Sequence, residues 1–505
     1  MNVTQATFRV LDKNNMPNKA SDEIQVQDFW KLAEMEEMAA LKAKGVIEEI
    51  SDTEIPHNGN AVNTMWVYVL KSDFQGYVIR FKAGVVALGT TNDLTFAPVA
   101  RMSSFRQLLA LPAELSLQVY GADISTAYLN AGLGISQYLR SNDGYPCKVN
   151  GHMYVVLKAL YGLRQSGREW NSELNKWLIA HGFQRSLTEP CLYYQIENDK
   201  TVYVLVYLFT ELNKAYGIKD QGFSSQSLGV EVEQTESQIK IKQSKYAKEI
   251  LTKFGYLNTH AVGNPMEVNA HLTPSDGENP ENTEYPYREV VGMLLYLATT
   301  TRPDLAYVLG RKTNIQPRGN REKSVTLLSW YTRLWHYVHK KLAETSEVVL
   351  NGYCDSDWAM DLEARKSTTG FMFTLSNGAI AWMLHRQSIV ALSTAEAEYG
   401  AACEATMEAI VVKNILQEIQ PHHTIMLKLG IDSQKAYVMA TNPTYSRRTR
   451  RNELPWHYVR EQVERGAIKL HKAKGEDNPA DALTKDLNKK RLERLLQLVG
   501  VDDND

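Results

Sequence analysis

Four acidic residues in the last third of the sequence stand where carboxylates could gather around metal ions. Asp355 follows the apolar stretch LNGYC, and Asp432 ends a second such stretch, LKLGI. Glu398 lies within a long helical stretch, and Asp481 lies in the first turn of a shorter one, which Asn478 can cap. Strand ends and helix faces of this kind can meet at one edge of a sheet. Carboxylates that meet there repel one another, and two divalent cations among them would clamp both reacting oxygens of a phosphodiester.

A single acid of this kind is a weak signal. An aspartate at a strand end is more often a solvated turn or cap residue than a metal ligand. Asp357 and Glu396 are neighbours of that ordinary sort, beside Asp355 and Glu398. The chain order of the four acids, each on an element that suits it, is the more specific observation.

The elements around these acids are predicted to build one mixed sheet. From Val348 onward the apolar pattern predicts three strands, a long helix at 394–419, a fourth strand, short helices, a fifth strand and a last helix from Pro479. This order is typical of a mixed α/β layer around a central sheet. Upstream, the sequence predicts helices at 29–41, 103–111 and 169–181, a hairpin at 65–86, strands at 117–124 and 203–208, a polar linker at 271–286 and mostly helix at 287–345.

The composition is that of an ordinary globular protein. The chain has 505 residues, 44% hydrophobic and 23% charged, which accommodates about two to four domains. The sequence has no apolar run of roughly 18 residues, the length of a membrane span, and its N-terminus does not resemble a secretory signal. Four widely spaced cysteines predict reduced thiols of an intracellular protein. The net charge of −2 gives no overall attraction to nucleic acid, but it is compatible with a basic groove.

Long motifs in the last third resemble the ribonuclease H domain of copia-type LTR retrotransposon polyproteins. They are GYCDSDWAMDLEARKSTTGFMFTL, IVALSTAEAEYGAACEA, LGIDSQKAYVMATNP and WHYVREQVERGAIKLHKAKGEDNPADALTK. The resemblance implies a catalytic, metal-binding tetrad of Asp355, Glu398, Asp432 and Asp481. It also implies two Mg²⁺ ions, for which Mn²⁺ can substitute, and an RNA–DNA hybrid as the substrate. Glu398 is preferred to Glu396 because the family's glutamate precedes an alanine by three residues, as Glu398 precedes Ala401.

A basic stretch upstream of the last helix departs from the family pattern. The family usually has Arg-Thr-Lys-His-Ile-Asp where this chain reads RTRRNE from residue 448. Four arginines there could hold the phosphates of a bound hybrid: Arg447, Arg448, Arg450 and Arg451. A solvated loop explains them equally well, and both interpretations stay open.

The resemblance extends upstream, from about residue 29, to the copia-type reverse transcriptase. The motifs are RFKAGVVALG, TFAPVARMSSFRQLLAL, YGADISTAYLNAGL, LKALYGLRQSGREW, LGVEVEQTESQIKIKQSKYAKEIL and YREVVGMLLYLATTTRPDLAY. The resemblance implies that Asp123 is the first of three catalytic, metal-binding aspartates of a polymerase acting on a primer–template. It implies that Tyr128 lies under the sugar of the incoming nucleotide. Gln165 and Lys82 match family residues near that nucleotide.

The second and third polymerase aspartates are missing from the sequence. The family has a Tyr-x-Asp-Asp hairpin where this chain reads Tyr207-Leu208-Phe209-Thr210, and the match resumes at Glu211. The fingers motif also lacks the family's arginine and second lysine, which are Gly84 and Leu88 here. We therefore predict that the hairpin is deleted near 208–211 and that Asp123 is a residual acid in an inactive polymerase site.

The predicted fold class is a multidomain α/β (α+β) protein. We expect a polar lead-in at 1–25, reverse-transcriptase fingers and palm at 26–270, a linker and helical connecting region at 271–345, a ribonuclease H-like domain at 346–495 and an acidic tail at 496–505. The expected function is that of a retrotransposon-derived reverse transcriptase and ribonuclease H, in which the ribonuclease site is complete.

Two other functions remain open at this point. The first is a catalytically dead or co-opted remnant that at most binds nucleic acid, and the unusual stretch SWYTRLWHYVHKK at 329–341 favours it. The second is a working polymerase in which another acid substitutes. The expected partners are an RNA–DNA hybrid, a primer–template and other retrotransposon proteins, with no membrane. The expected location is the cytoplasm, in a particle, or the nucleus.

Overall fold

The structure is a computed structural model that describes most of the chain. The described residues are 27–57, 59, 61–72, 78–88, 96–115, 117–124, 127–140, 144–197, 200–205, 218–223, 226–227, 229–260, 287–314, 336–340, 347–359, 364–442 and 453–502.

Helices and strands alternate along the described residues. The helices are Gln27–Ala43 (α1), Met102–Leu115 (α2), Ser166–Ala180 (α3), Ser244–Lys253 (α4), Tyr287–Thr300 (α5), Ala306–Asn314 (α6), Thr394–Ile419 (α7), Gln434–Thr441 (α8), Glu453–Glu464 (α9), Asp481–Thr484 (α10) and Lys489–Gln497 (α11). The strands are Ile47–Ser51 (β1), Ala61–Val62 (β2), Thr64–Ser72 (β3), Val78–Ala87 (β4), Tyr120–Ile124 (β5), Gly132–Leu139 (β6), His152–Lys158 (β7), Gln184–Arg185 (β8), Leu192–Glu197 (β9), Lys200–Leu205 (β10), Ile218–Phe223 (β11), Gln226–Ser227 (β12), Val230–Gln234 (β13), Gln238–Lys242 (β14), His336–Lys340 (β15), Glu347–Ser356 (β16), Thr368–Leu375 (β17), Gly378–Arg386 (β18), Thr424–Ile431 (β19), Lys469–Lys472 (β20) and Val501–Asp502 (β21).

The chain divides into two compact units. The first comprises residues 1–99, 124–185 and 208–219, and the second comprises 100–123, 186–207 and 220–505. Both contain helices and sheets, so the predicted mixed α/β multidomain class is confirmed. Among the described helices, none combines the length and the apolar character that a membrane crossing requires.

The first unit contains a four-stranded sheet, a long hairpin and two helices. The sheet has the strand order β1-β7-β6-β2, and β3 pairs with β4 in the hairpin that the sequence predicts at 65–86. The spacing of Trp30, Ala33, Met38 and Leu41 gives α1 one buried apolar face. Met38 and Leu41 pack in one core cluster with apolar residues of β1, β4 and β7.

The second unit contains a five-stranded sheet, called here the sheet of the four acids. Asp355 lies on one of its strands and Asp432 follows another, while Glu398 and Asp481 lie on helices that pack on it. Its strand order is β18-β17-β16-β19-β20, in which β16, β17 and β18 form an antiparallel meander and β19 and β20 join in parallel. Helix α7 packs on β16, β17 and β19. Strand β16 alternates buried and half-buried residues from Glu347 to Cys354, as expected of a strand with one covered face. The elements follow the predicted order up to β20.

A second sheet in this unit differs from the predicted boundaries. It has the strand order β12-β13-β14-β15-β21, so the stretch 287–345, predicted to be mostly helical, also contributes the strand β15. The predicted acidic tail at 496–505 is part of the fold up to residue 502, because Leu496, Val499 and Val501 are buried and Tyr337 pairs with Val501. The last predicted helix is two helices, since the Asn488 side chain caps α11 by accepting a hydrogen bond from the Arg491 backbone N–H.

Contacts within the second unit join residues on both sides of the predicted boundary at 345. The helix α2 packs on β18 of the sheet of the four acids, and α5 is hydrogen-bonded to the same strand inside one unit. The Arg106 guanidinium of α2 donates to the Ile380 carbonyl oxygen of β18 at 2.7 Å, and the Trp382 indole of β18 donates to the Ala298 carbonyl oxygen of α5 at 2.9 Å. The interface is nonlocal in sequence, so a local pattern could not reveal it.

Candidate metal centre

The structure brings three of the four predicted acids together. Strand β16 carries Asp355 near its end, Asp432 follows β19 directly, and Glu398 lies in the second turn of α7. The parallel pairing of β16 with β19 sets Cys354 opposite Ile431, so the next residues on both strands are neighbours. One carboxylate oxygen each of Asp355, Glu398 and Asp432 lies within 4.8 Å of the other two.

The burial of these carboxylates and their oxygens without hydrogen-bond partners suit the binding of a divalent cation. Asp355 is 0% exposed and Glu398 5% exposed, and Asp432 is half-buried. Glu398 Oε2 and Asp432 Oδ1 have no hydrogen-bond partner within the part of the chain that the structure describes. Buried carboxylate oxygens without a donor are costly. Mg²⁺ and Mn²⁺ take oxygen ligands of this type, so the set Asp355, Glu398 and Asp432 is suited to hold such ions.

Burial and neighbouring charges raise the pKa values of Glu398 and Asp432. Burial raises the pKa of Glu398 to about 9, and the charges of Asp355 and Asp432 add to the effect. Burial also raises the pKa of Asp432, together with Asp355, while Lys485 opposes the shift. In the metal-free protein Glu398 is therefore protonated at neutral pH, and a metal ion would have to displace that proton.

This shift predicts a pH dependence of the metal-free protein. Between the ordinary Glu pKa of 4.5 and the raised value of about 9, the folded state binds one more proton at Glu398 than the unfolded state does. The free energy of unfolding therefore falls as pH rises through this range, by at most about 1.4 kcal/mol per pH unit from this group. We expect urea denaturation in EDTA between pH 6 and 9 to show a flatter pH dependence for Glu398→Gln than for the parent protein. Parallel pH profiles would contradict the shift.

The fourth acid, Asp481, is held by basic side chains. Its Oδ1 lies 2.7 Å from Lys485 Nζ, and its Oδ2 lies 2.5 Å from Arg491 Nη2. Burial and the charge of Asp355 raise the pKa of Asp481 to about 6. Lys485 also lies 2.9 Å from Asp355 Oδ1, so Asp481 is connected to the three-acid group through a lysine. Sequence reasoning missed Lys485, although its spacing of four residues after Asp481 on a helix was a usable signal.

Close packing of α10 fixes the back of the site. The Thr484 hydroxyl donates to Asp355 Oδ2, and the Asn478 side-chain amide donates to the Cys354 carbonyl oxygen at 3.0 Å. Gly370, the residue opposite Asp355 on β17, allows this approach, because a Cβ there would lie 2.6 Å from Thr484 Cγ2. These contacts hold Asp355 in place.

The neighbouring acids Glu396 and Asp357 have structural partners. Glu396 Oε2 accepts a hydrogen bond from the Leu392 backbone N–H at 2.8 Å, next to the cap formed by Ser393 at the start of α7. Asp357 Oδ1 accepts from the Thr368 backbone N–H at 2.6 Å. Neither belongs to the three-acid group. The choice of Glu398 over Glu396 therefore has a geometric reason.

The predicted polymerase residues are described only in part. Asp123 lies in β5, but its side chain is outside the described residues, as are 206–217 with the expected hairpin position. The Tyr128 ring lies 4.9 Å from that of Tyr161, and Lys82 is exposed on β4. Gln165 is 1% exposed before α3, and its amide has no partner among the described residues.

The basic stretch also falls outside the described residues. The arginines are Arg447, Arg448, Arg450 and Arg451. Their contact with hybrid phosphates stays a prediction.

Comparison with known proteins identifies the family. A family model described as reverse transcriptase (RNA-dependent DNA polymerase) matches residues 50–268. The chain is 31% identical, over 94% of its length, to the retrovirus-related Pol polyprotein from transposon TNT 1-94 of Nicotiana tabacum. It is 27% identical, over 88% of its length, to the Pol polyprotein from transposon RE2 of Arabidopsis thaliana. These matches support a copia-type retrotransposon reverse transcriptase protein.

The chain spans only part of the length of the polyproteins that it matches. The chain spans 38% of the tobacco polyprotein and 32% of the Arabidopsis polyprotein. A solved structure of a foamy viral protease-reverse transcriptase in complex with double-stranded DNA aligns over 88% of this chain and 69% of its own, with a TM-score of 0.48 and 13% identity. The matched family model ends at residue 268, upstream of all four acids of the second unit.

Proposed function

We propose that this chain is a metal-dependent endoribonuclease that cleaves the RNA strand of an RNA–DNA hybrid. One observation carries the proposal: the carboxylates of Asp355, Glu398 and Asp432 lie within 4.8 Å of one another, and Glu398 Oε2 and Asp432 Oδ1 lack hydrogen-bond partners among the described residues. Such a set supports hydrolysis of a phosphodiester rather than a purely structural role.

The chain's own residues supply the positions and the charge for this reaction. Asp355, Glu398 and Asp432 would hold Mg²⁺, or Mn²⁺ in its place, with Asp481 as the fourth acid. When bound, such ions polarise the phosphate and lower the pKa of the attacking water. Thr484 orients the Asp355 carboxylate, and the parallel strand register keeps Asp432 beside it. The rigid sheet thus holds the acids in place before substrate binds.

The test uses the whole chain, since the sheet of the four acids packs against α2 and α5. A labelled RNA–DNA hybrid, single-stranded RNA and duplex DNA are each incubated with the protein in Mg²⁺ or in EDTA. The proposal expects cleavage of the RNA in the hybrid in Mg²⁺ and none in EDTA. An intact hybrid in both Mg²⁺ and Mn²⁺ would contradict it.

The polymerase half is proposed to be inactive. One acid, Asp123, remains where the chemistry needs a set of aspartates, and the sequence reads Leu208-Phe209-Thr210 at the position of the hairpin. We expect no extension of a DNA primer on an RNA template, with Mg²⁺ or Mn²⁺, under conditions in which the hybrid is cleaved. Extension that Asp123→Asn abolishes would show that the site works.

A second candidate is a protein that binds nucleic acid without cleaving it. The ion pairs of Lys485 with Asp355 and Asp481 favour it, because they neutralise part of the acidic group without a metal ion. Hybrid binding in a gel-shift assay without cleavage would select this candidate. Both candidates place the protein inside the cell, in a cytoplasmic particle or the nucleus, with a hybrid or a primer–template as partner.

A further inference from the structure

Lys485 occupies a position among the acids that the proposed reaction leaves unexplained. Its Nζ lies 2.9 Å from Asp355 Oδ1, 2.7 Å from Asp481 Oδ1 and 3.9 Å from Asp432 Oδ2. The two aspartates that it contacts most closely are 0% and 1% exposed at their side chains, whereas the lysine side chain is 39% exposed. A flexible, solvent-accessible cation thus holds two buried carboxylates together.

Lys485 and a divalent cation at the acidic group would compete for the same carboxylates. The hydrogen bonds from Lys485 use Asp355 Oδ1 and Asp481 Oδ1. Arg491 uses Asp481 Oδ2, so both oxygens of Asp481 have cationic partners. A divalent cation that takes these oxygens as ligands competes with the ammonium for lone pairs, and the two positive charges also repel each other.

The Lys485 side chain can move away from Asp355 and Asp481. Lys485 follows α10 directly and ends in a single ammonium on a flexible four-carbon stem. Arg491 is anchored a second time, because its Nη2 also donates to the Gly475 carbonyl oxygen at 2.9 Å. The lysine is therefore the member of the pair that can turn outward while the arginine keeps Asp481 near the site.

We propose that Lys485 is a displaceable internal cation, a positioning residue that holds Asp355 and Asp481 together without metal and moves into solvent when divalent cations bind. The inference rests on the proposed metal site. It explains how four acids can gather in the metal-free chain. It also means that Lys485 weakens metal binding, because each binding event has to break its ion pairs.

The experiment compares metal-free stability and metal affinity in matched variants of the full chain. Lys485→Met removes the charge and keeps the length, and Lys485→Arg keeps the charge. Lys490→Met is the control, because Lys490 is an exposed lysine of the next helix. In EDTA, we expect Lys485→Met to melt about 3 °C or more below Lys490→Met. Calorimetric titration with MnCl₂ should show about tenfold tighter binding to Lys485→Met than to the parent protein.

Two further variants, Lys485→Arg and Lys485→Gln, separate the effect of the positive charge from a failure to fold. Lys485→Arg should stay within about threefold of the parent's Mn²⁺ affinity, since it keeps the positive charge. If Lys485→Met does not fold, Lys485→Gln replaces it with the same expectations. Unchanged or weaker Mn²⁺ binding in the neutral variant, or a metal-free melting temperature equal to that of Lys490→Met, would overturn the inference. The melting temperature and the Mn²⁺ affinity can be measured without RNA cleavage. A negative result for Lys485 is therefore distinguishable from a negative result in the ribonuclease assay.

Discussion

Replacing Asp355 with asparagine should reduce cleavage of the hybrid by about two to three orders of magnitude. Asp355 is fully buried, belongs to the three-acid group and forms an ion pair with Lys485. An amide has nearly the same shape but supplies no anionic oxygen, so divalent cations would bind poorly. The measurement is the initial rate of RNA cleavage in Mg²⁺, with circular dichroism to show that the variant is folded.

Asp357→Asn is the matched control for this variant. Asp357 lies two residues further along, and its Oδ1 accepts a backbone hydrogen bond that an asparagine oxygen can also accept. The control should retain activity within about threefold, since the carboxylate charge there serves no metal ion. A similar loss in both variants would mean that the strand end, rather than the acidic group, is what cleavage requires.

Replacing Arg106 with alanine should cost the second unit about 3–5 kcal/mol of unfolding free energy. The Arg106 side chain is almost fully buried and donates to the carbonyl oxygens of Ile380, Thr299 and Thr300. Its guanidinium carbon also lies 3.6 Å from the centroid of the Trp382 ring. One hydrogen bond from a charged group contributes about 1.5–3 kcal/mol and the stacking about 1 kcal/mol, while removing the desolvation cost of the buried guanidinium offsets part of the sum. Urea denaturation measures the difference.

Arg101→Ala controls for the loss of an arginine near the same helix. Arg101 is half exposed, and its guanidinium lies 3.9 Å from Glu408, a surface ion pair of small expected value. We expect a loss below about 1 kcal/mol for this variant. Arg106→Lys should remain strongly destabilised. One ammonium group cannot replace a planar guanidinium that donates to several carbonyl oxygens and stacks on the Trp382 ring. Equal losses for Arg101→Ala and Arg106→Ala would contradict the assigned role of Arg106.

The local sequence pattern predicted the elements that carry Asp355, Glu398 and Asp432, and the family resemblance selected these three acids among their neighbours. Two of these acids end or follow buried strands, and buried strands are read from their apolar pattern. Glu398 sits on a helix whose start is marked by Ser393 and Glu396, a common capping pattern. Because these signals are local, the elements and their order follow from them, and the parallel pairing then makes the acids neighbours.

The remainder of the site depends on contacts between distant segments. The two cations on Asp481 come from side chains four and ten residues further along, across a helix break that Asn488 creates. The interface of α2 and α5 with β18 joins residues nearly 300 positions apart, as the Arg106–Ile380 hydrogen bond shows. No periodic pattern of apolar residues in the sequence predicts such pairs of distant residues. The predicted boundary at 345 and the predicted tail at 496–505 stay predictions from local patterns, whereas Val499 and Val501 are buried and Val501 pairs with the distant Tyr337.

The comparison that tests the central claim most directly is between Glu398→Gln and Glu396→Gln on a labelled RNA–DNA hybrid in Mg²⁺. The two residues are neighbours on α7, but only Glu398 belongs to the three-acid group, and Glu396 accepts a backbone hydrogen bond at the helix start. We predict that the parent protein cleaves the hybrid, that Glu398→Gln loses about a hundredfold or more, and that Glu396→Gln keeps nearly full activity well below its melting temperature. Equal losses in the two variants would contradict the assigned site, and an intact hybrid with the parent protein would contradict the activity itself.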